Sequence, residues 1–232
     1  MLIRVKRMTV VMRIMHWALA ASVVACFITG LYIATPFWWA PTGPDPTSAL
    51  YMGYIRLIHF IFAMVLDVSF LLWFYLFFFS LDHPFFKSIV PFGQRFGEAM
   101  AMLRHYATLR KKPATSGDRH VDPLNAYGFL LIHFFVFVQM ITGFALMAPT
   151  FSEGNSLIAI WPWMLGVSET ICVGVFGTMV VTRQVHHLAA YAIIALAMAH
   201  IYIQVWREMF WTEGHISVVF SGYKYIRVEQ KQ

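Results

Sequence analysis

Long apolar blocks alternate along the chain with short segments that carry nearly all of the charged side chains. Four blocks contain almost no charge, and they cover residues 17–35, 57–79, 126–148 and 184–206. Each has about the ~20 residues that a helix needs to cross a bilayer. Backbone polar groups in lipid must be satisfied within the segment itself, so we expect each block to be helical. The pattern predicts an all-α membrane protein, a bundle of four transmembrane helices.

The polar residues that flank the blocks set the expected helix limits at roughly 12–35, 54–79, 125–148 and 181–207. The segment 85–122 between the second and third helices is expected to be a cytoplasmic loop. Within it, residues 97–110 are a candidate amphipathic helix at the membrane surface. The segment 149–180 is apolar enough to raise the question of a fifth span. Proline, glycine and glutamate interrupt it and its tryptophans suit an interface, so we interpret it as an outer interfacial segment.

The composition agrees with a membrane protein, because 59% of the residues are hydrophobic and only 12% are charged. Soluble domains carry about 25% charged residues. The net charge of +6 does not indicate nucleic-acid binding, because the lysines and arginines are placed by topology. Fifteen of the seventeen lie before the first block, between the second and third, or after the fourth. Under the positive-inside rule, both termini and the central loop are therefore cytoplasmic.

Six of the ten histidines lie in or beside the apolar blocks, namely His16, His59, His133, His186, His187 and His200. Ionisable residues at such positions are uncommon and suggest function. The direction of each helix gives the depth of each histidine. His59 and His186 are expected near the outer face. His16 and His200 are expected near the cytoplasmic face, because His200 lies fourteen residues after His186, about 21 Å deeper along the helix.

Helical rotation distinguishes His186 from its neighbour His187. At ~100° per residue, a separation of fourteen residues is a rotation of about 1400°, which is within about 40° of a whole number of turns. His186 and His200 therefore share one face of the fourth helix. Two imidazoles can bind a haem iron from opposite sides. The pattern thus predicts two b-type haems, the outer one held by His59 and His186 and the inner one by His16 and His200. For any single histidine, a hydrogen bond to a neighbouring helix is the alternative.

Arginines and glycines accompany these histidines at regular spacings. Arg13, Arg56 and Arg183 lie three residues before His16, His59 and His186, and Arg207 lies seven after His200. Each arginine would lie on the water side of its haem, where the guanidinium suits a propionate. Snorkelling at the helix ends is the alternative. Gly30 and Gly143 reach the depth of the outer haem, where they would let the macrocycle or a neighbouring helix approach closely.

Some features remain open at the level of sequence. His133 is either a packing residue or part of a quinone pocket, and Asp67 is either a neutral buried acid or part of a proton route. The triplet Ile28-Thr29-Gly30 recurs as Ile141-Thr142-Gly143, through either internal duplication or chance.

Several stretches resemble the dihaem b-type cytochrome subunit of membrane-bound NiFe hydrogenases. They are Arg13-Ile14-Met15-His16-Trp17, the run from Tyr51 to Phe60, Ile141 to Leu146, His186-His187-Leu188, His200-Ile201-Tyr202, and the tail from Ile216 to Tyr223. The resemblance covers nearly the whole chain. His187 and Asp122 depart from it, because relatives often have arginine after the first histidine of the last helix and asparagine before Pro123.

The resemblance implies a subunit of the bacterial inner membrane, within the respiratory chain. It would take electrons from the iron–sulfur small subunit of a periplasmic hydrogenase, itself bound to the large subunit, and pass them through two haem b groups to quinone. His16, His59, His186 and His200 match the axial ligands of the family. The chain itself would not split hydrogen. The alternatives are an anchor for another periplasmic dehydrogenase, such as formate dehydrogenase, and a stand-alone transmembrane haem reductase.

Overall fold

The computed structural model describes residues 2–36, 46–79, 94–108, 123–150, 160–211 and 216–227. Helices α1 to α7 cover Val10–Ala34, Pro46–Phe79, Gln94–Thr108, Pro123–Met147, Ile160–Phe176, Met179–Trp211 and Val218–Ser221. Strands β1 and β2 cover Leu2–Lys6 and Tyr223–Arg227, and a short 3-10 turn at Ala148–Thr150 follows α4. The predicted loop 85–122 is described only over 94–108. Within the predicted segment 149–180, residues 151–159 lie outside the described residues.

Four helices are long and apolar enough to cross a membrane. These candidate spans are Val10–Ala34 in α1, Leu50–Leu76 in α2, Leu124–Met147 in α4 and Met179–Phe210 in α6. Large apolar side chains such as Ile28, Leu71, Phe134 and Met198 stand exposed along them. A continuous apolar surface of this extent suits lipid rather than water. The prediction of a helical membrane protein with four spans is confirmed.

The chain divides into two compact units. The first contains Met1–Val90 and Ala199–Gln232, and the second contains Pro91–Met198. Helix α6 passes from the second unit into the first at residues 198–199. The four histidines expected to bind haem are therefore distributed between the units: His16, His59 and His200 belong to the first, and His186 belongs to the second.

Within the first unit, α1 packs against α2. Near the end of α1, the ring of Tyr32 lies 5.8 Å from that of Tyr51, and one turn earlier Thr29 contacts His59. The two contacts run in opposite sequence directions, so the helices are antiparallel. The fully buried Ser22 lies seven residues before Thr29, on the same face of α1, and a side chain this small allows a neighbouring helix to approach closely.

The two ends of the chain join in a structure that we call the terminal clasp, formed by β1, β2, α7 and the start of α1. The strands pair antiparallel, from Leu2 with Arg227 to Lys6 with Tyr223. The backbone N–H groups of Arg7 and Met8 both donate to the carbonyl of Gly222. Both termini therefore lie on one side, which requires an even number of membrane crossings.

Within the second unit, α4 packs against both α3 and α5. Helix α3 buries Ala99, Met102 and Tyr106, which recur at the spacing of one helical face. Phe96 and Leu103 border this face and are exposed, although the ring of Phe96 meets that of Tyr127 on α4 edge to face at 6.1 Å. The helix is therefore amphipathic, with one apolar face packed and further apolar side chains left at the surface.

Helix α5 has 17 residues, fewer than the ~20 of a full span, and it is not among the candidate spans. It buries Leu165, Ser168 and Cys172, and the ring of its Trp161 meets Phe144 of α4 edge to face at 5.7 Å. Gly177 ends it in the left-handed conformation, with φ of 79°. A short helix at this place agrees with the even number of crossings that the terminal clasp requires.

Candidate functional site

A buried threonine of α1 holds the ring of His59 on α2. Thr29 Oγ1 lies 2.9 Å from His59 Nδ1, and the same hydroxyl donates to the carbonyl of Ala25 at 2.6 Å. One turn earlier, Cys26 Sγ lies 3.7 Å from the carbonyl oxygen of His59. The imidazole is therefore fixed at its Nδ1 edge, and its backbone is tied to the same face of α1.

The second unit repeats this arrangement between α4 and α6. Thr142 Oγ1 lies 2.8 Å from His186 Nδ1 and donates to the carbonyl of Val138 at 2.6 Å. Gln139, three residues before the threonine, donates from Nε2 to the carbonyl of His186 at 2.6 Å. Cys26 occupies the same place relative to Thr29, so both helix pairs use the same two positions for the same two contacts.

The glycine after each threonine faces the same imidazole. A Cβ built on Gly30 would lie 3.3 Å from His59 Cε1, and one built on Gly143 would lie 3.5 Å from His186 Cε1. Each ring thus lies close to the neighbouring helix beside a glycine, and the space is tighter at Gly30 than at Gly143. This agreement in geometry favours internal duplication over chance as the origin of the repeated Ile-Thr-Gly triplet.

His16 and His200 both belong to the first unit, and His200 is exposed. His200 interacts electrostatically with both His16 and Arg207. The ring of His16 is half-buried, and its Nδ1 is buried without a hydrogen-bond partner among the described residues. Among the residues that the structure describes, neither imidazole has a threonine contact like those of His59 and His186.

The four arginines occupy different environments. Arg56 and Arg183 are exposed, each one turn before its histidine, whereas Arg207 is 1% exposed. Arg13 donates from Nη1 to the carbonyl of Phe220 in the terminal clasp, a contact that the spacing to His16 did not predict. Because a guanidinium has five donors, this bond leaves Arg13 able to reach a further acceptor.

His187, His133 and Asp67 take no part in the hydrogen bonds of Thr29 and Thr142. The ring of His187 is tilted against that of His186, with centroids 6.4 Å apart. His133 Nδ1 donates to the carbonyl of Phe129 on its own helix, 2.8 Å away, and its ring stacks on Phe129. This contact supports a packing role for His133. Asp67 is buried and close enough to Cys26 to interact electrostatically.

The arrangement suits the requirements of a b-type haem. Such a haem needs imidazoles with a nitrogen lone pair for the iron, flat space beside them and cations for its propionates. His59 and His186 are oriented by threonines, and a glycine lies beside each ring. Near His200, the guanidinium of Arg207 supplies a buried positive charge.

Sequence reasoning singled out the histidines but assigned no role to Thr29, Thr142, Cys26 or Gln139. The repeated Ile-Thr-Gly triplet is the sequence feature that could have indicated a role for the two threonines. It could not be interpreted without the helix pairing, because nothing in a single sequence shows which residue faces Thr29 across the helix interface.

Comparison with known proteins gives the family. The profile of the family described as prokaryotic cytochrome b561 matches residues 7–222. A protein of Rhodobacter capsulatus named probable Ni/Fe-hydrogenase B-type cytochrome subunit is 28% identical over 214 residues, 91% of this chain and 78% of its own length. A protein of the same name from Bradyrhizobium diazoefficiens is 30% identical over 231 residues, covering 93% and 83%.

A third relative is the probable Ni/Fe-hydrogenase 1 B-type cytochrome subunit of Escherichia coli K12. It is 27% identical over 215 residues, which cover 91% of this chain and 87% of the relative. The family resemblance that the sequence motifs indicated is confirmed. The region matched by the family profile contains every candidate ligand and both Thr-Gly pairs. The chain therefore belongs to the prokaryotic cytochrome b561 family and is a b-type cytochrome that crosses the membrane several times.

Proposed function

We propose that this cytochrome carries electrons from the iron–sulfur small subunit of a periplasmic NiFe hydrogenase across the membrane to quinone, through two haem b groups. The observation that carries the proposal is the repeated arrangement in which a Thr-Gly pair holds a histidine of the neighbouring helix. It marks two imidazoles as oriented for a common purpose. The names of the relatives support the hydrogenase as partner.

The proposed outer haem takes His59 and His186 as axial ligands. This pairing rests on the depth that helix direction predicts for them, because α2 and α6 would both run inward and each histidine lies in the outer half of its helix. The two residues belong to different units. The proposed inner haem takes His16 and His200, and the electrostatic interaction between these two rings supports that assignment. Haem supplies one-electron exchange, and the imidazoles of the chain hold it at two depths.

The arginines and the direction of each helix determine the proposed orientation of the two haems in the membrane. Arg56 and Arg183 would contact the propionates of the outer haem, and Arg13 and Arg207 those of the inner haem. The basic residues at the termini and in the central loop support a cytoplasmic location of these segments in a bacterium. The outer haem would then face the periplasmic small subunit, and quinone would accept electrons from the chain.

Purification in mild detergent from the native membrane tests the partner. We expect the tagged chain to bring down a protein that contains nickel and a second one that contains iron–sulfur clusters. A partner with molybdenum or tungsten instead would replace the hydrogenase with another periplasmic dehydrogenase. Quinone reduction by the isolated chain with a small reductant, in the absence of any partner, would indicate a stand-alone reductase.

A further inference from the structure

We propose that Thr29 and Thr142 are positioning residues that hold His59 and His186 in the tautomer protonated at Nδ1, which leaves the Nε2 lone pair for the haem iron. This inference rests on the proposed role of the two histidines as axial ligands. It assigns a purpose to the hydroxyl groups, which the family resemblance and the histidine spacing left unexplained.

A threonine hydroxyl has one proton to donate. In Thr29 that proton points to the carbonyl of Ala25, 2.6 Å away, since the other carbonyl in range, that of Cys26, lies at 3.3 Å. The hydroxyl can therefore offer only a lone pair to His59 Nδ1, and the 2.9 Å contact requires the proton to be on Nδ1.

The same limit of one proton applies independently in the second unit. Thr142 Oγ1 lies 2.6 Å from the carbonyl of Val138 and 3.3 Å from that of Gln139. Its 2.8 Å contact with His186 Nδ1 then requires an N–H donor on the imidazole. A neutral imidazole protonated at Nδ1 has its lone pair on Nε2.

Contacts with the neighbouring helix hold the imidazole rings of His59 and His186 in this orientation. Gly30 lies against His59 Cε1, and Gly143 lies against His186 Cε1, so each imidazole is held between a hydroxyl and a helix surface. The carbonyl of each histidine is fixed as well, by Cys26 or by Gln139. Ring rotation and tautomer are therefore both set before any haem binds.

An N–H···O bond from a ligand imidazole makes the ring a stronger donor to the metal and orients it. A stronger donor stabilises the ferric form, so the threonines are expected to lower the reduction potential of the outer haem. His16 Nδ1 has no such partner among the described residues. The inner haem should therefore be insensitive to these two hydroxyl groups.

The test compares Thr29→Val and Thr142→Val with Thr29→Ser and Thr142→Ser in the purified complex. Valine keeps the shape but removes the hydroxyl, whereas serine retains it. We expect each valine variant to raise the midpoint potential of the outer haem, to change its low-spin EPR signal and to weaken haem retention by about 10–100-fold. The serine variants should retain the wild-type values.

Thr182→Val is the matched control, because Thr182 is 0% exposed and donates to the carbonyl of Thr178 without bonding a histidine among the described residues. It should leave both potentials unchanged.

Equal effects of valine and serine, or an equal effect of the control, would overturn the inference. Unchanged potentials and EPR signals in both valine variants would overturn it as well. If a valine variant does not accumulate, a wild-type potential in the serine variant supports the inference and a shifted one overturns it. If wild-type protein contains no haem b, the proposed function itself fails.

Discussion

At the scale of residues, the choice between His186 and His187 shows what spacing alone can decide. The fourteen-residue separation from His200 selects His186 from the sequence. In the structure His186 is the histidine whose Nδ1 lies against Thr142, 2.8 Å away. The partner itself could not be predicted, because the register between α4 and α6 depends on tertiary packing.

We expect His186→Ala to remove the outer haem and to block electron entry, because it deletes one of the two proposed axial ligands of that haem. His187→Ala should leave both haems intact. Optical spectra of the reduced proteins, with haem content from the pyridine haemochrome, measure the difference. Loss of a haem in His187→Ala, together with retention of both in His186→Ala, would show that the rotational argument chose the wrong residue.

The two glycines give a second prediction at this scale. A Cβ on Gly30 would approach His59 Cε1 to 3.3 Å, which is tight, whereas 3.5 Å at Gly143 is an ordinary contact. We therefore expect Gly30→Ala to tilt the outer-haem ligand, which the low-spin EPR signal reports. Gly143→Ala should leave the signal unchanged and gain up to ~1 kcal/mol of helix stability. Equal disturbance by both variants would mean that the glycines serve the macrocycle rather than the imidazoles.

At the scale of elements, the four spanning helices were predictable because length and apolar composition determine them. The terminal clasp was not predicted. Its strands have only five residues each, and the sequence gives no sign that Leu2 pairs with Arg227. The clasp also uses Trp17 and Arg13, which donate to the carbonyls of Val219 and Phe220.

Gly222 is the residue on which the clasp depends most directly. Its φ is 84°, and a Cβ there would lie 2.6 Å from the carbonyl oxygen of Met8. We expect Gly222→Ala to combine left-handed strain of about 1–2 kcal/mol with this clash and to open the clasp. Faster limited proteolysis of the termini would report the opening.

Gly177→Ala provides the control for this prediction. Gly177 has a similar φ of 79°, but nothing lies within 4 Å of a Cβ built there. It should lower thermal stability through backbone strain without exposing the termini to protease. A clasp that resists protease equally in wild type and Gly222→Ala would contradict this account.

At the scale of the whole molecule, charge placement and strand pairing lead to the same topology by separate routes. The basic residues assign both termini to one face, and the pairing of β1 with β2 requires them to be on one face. The sequence left the fifth-span question open because the hydropathy of residues 160–176 resembles that of a span. The 17-residue length of α5 and the parity of crossings favour an interfacial helix over a fifth span.

Reporter fusions test this topology. Alkaline phosphatase fused after Thr35 or after Thr178 should be active, because both positions lie on the outer side of the membrane in this topology. Green fluorescent protein fused after Gln232 should fluoresce, since it requires the cytoplasm. Phosphatase activity at Gln232 would indicate an odd number of crossings or an inverted chain.

The central claim is that this one chain holds two b-type haems, and the haem content of the purified protein tests it most directly. Quantitative pyridine haemochrome analysis against protein mass should give two haem b per chain, resolved as two components in a redox titration. One haem per chain would contradict the pairing of the four histidines. No haem b would contradict the account as a whole.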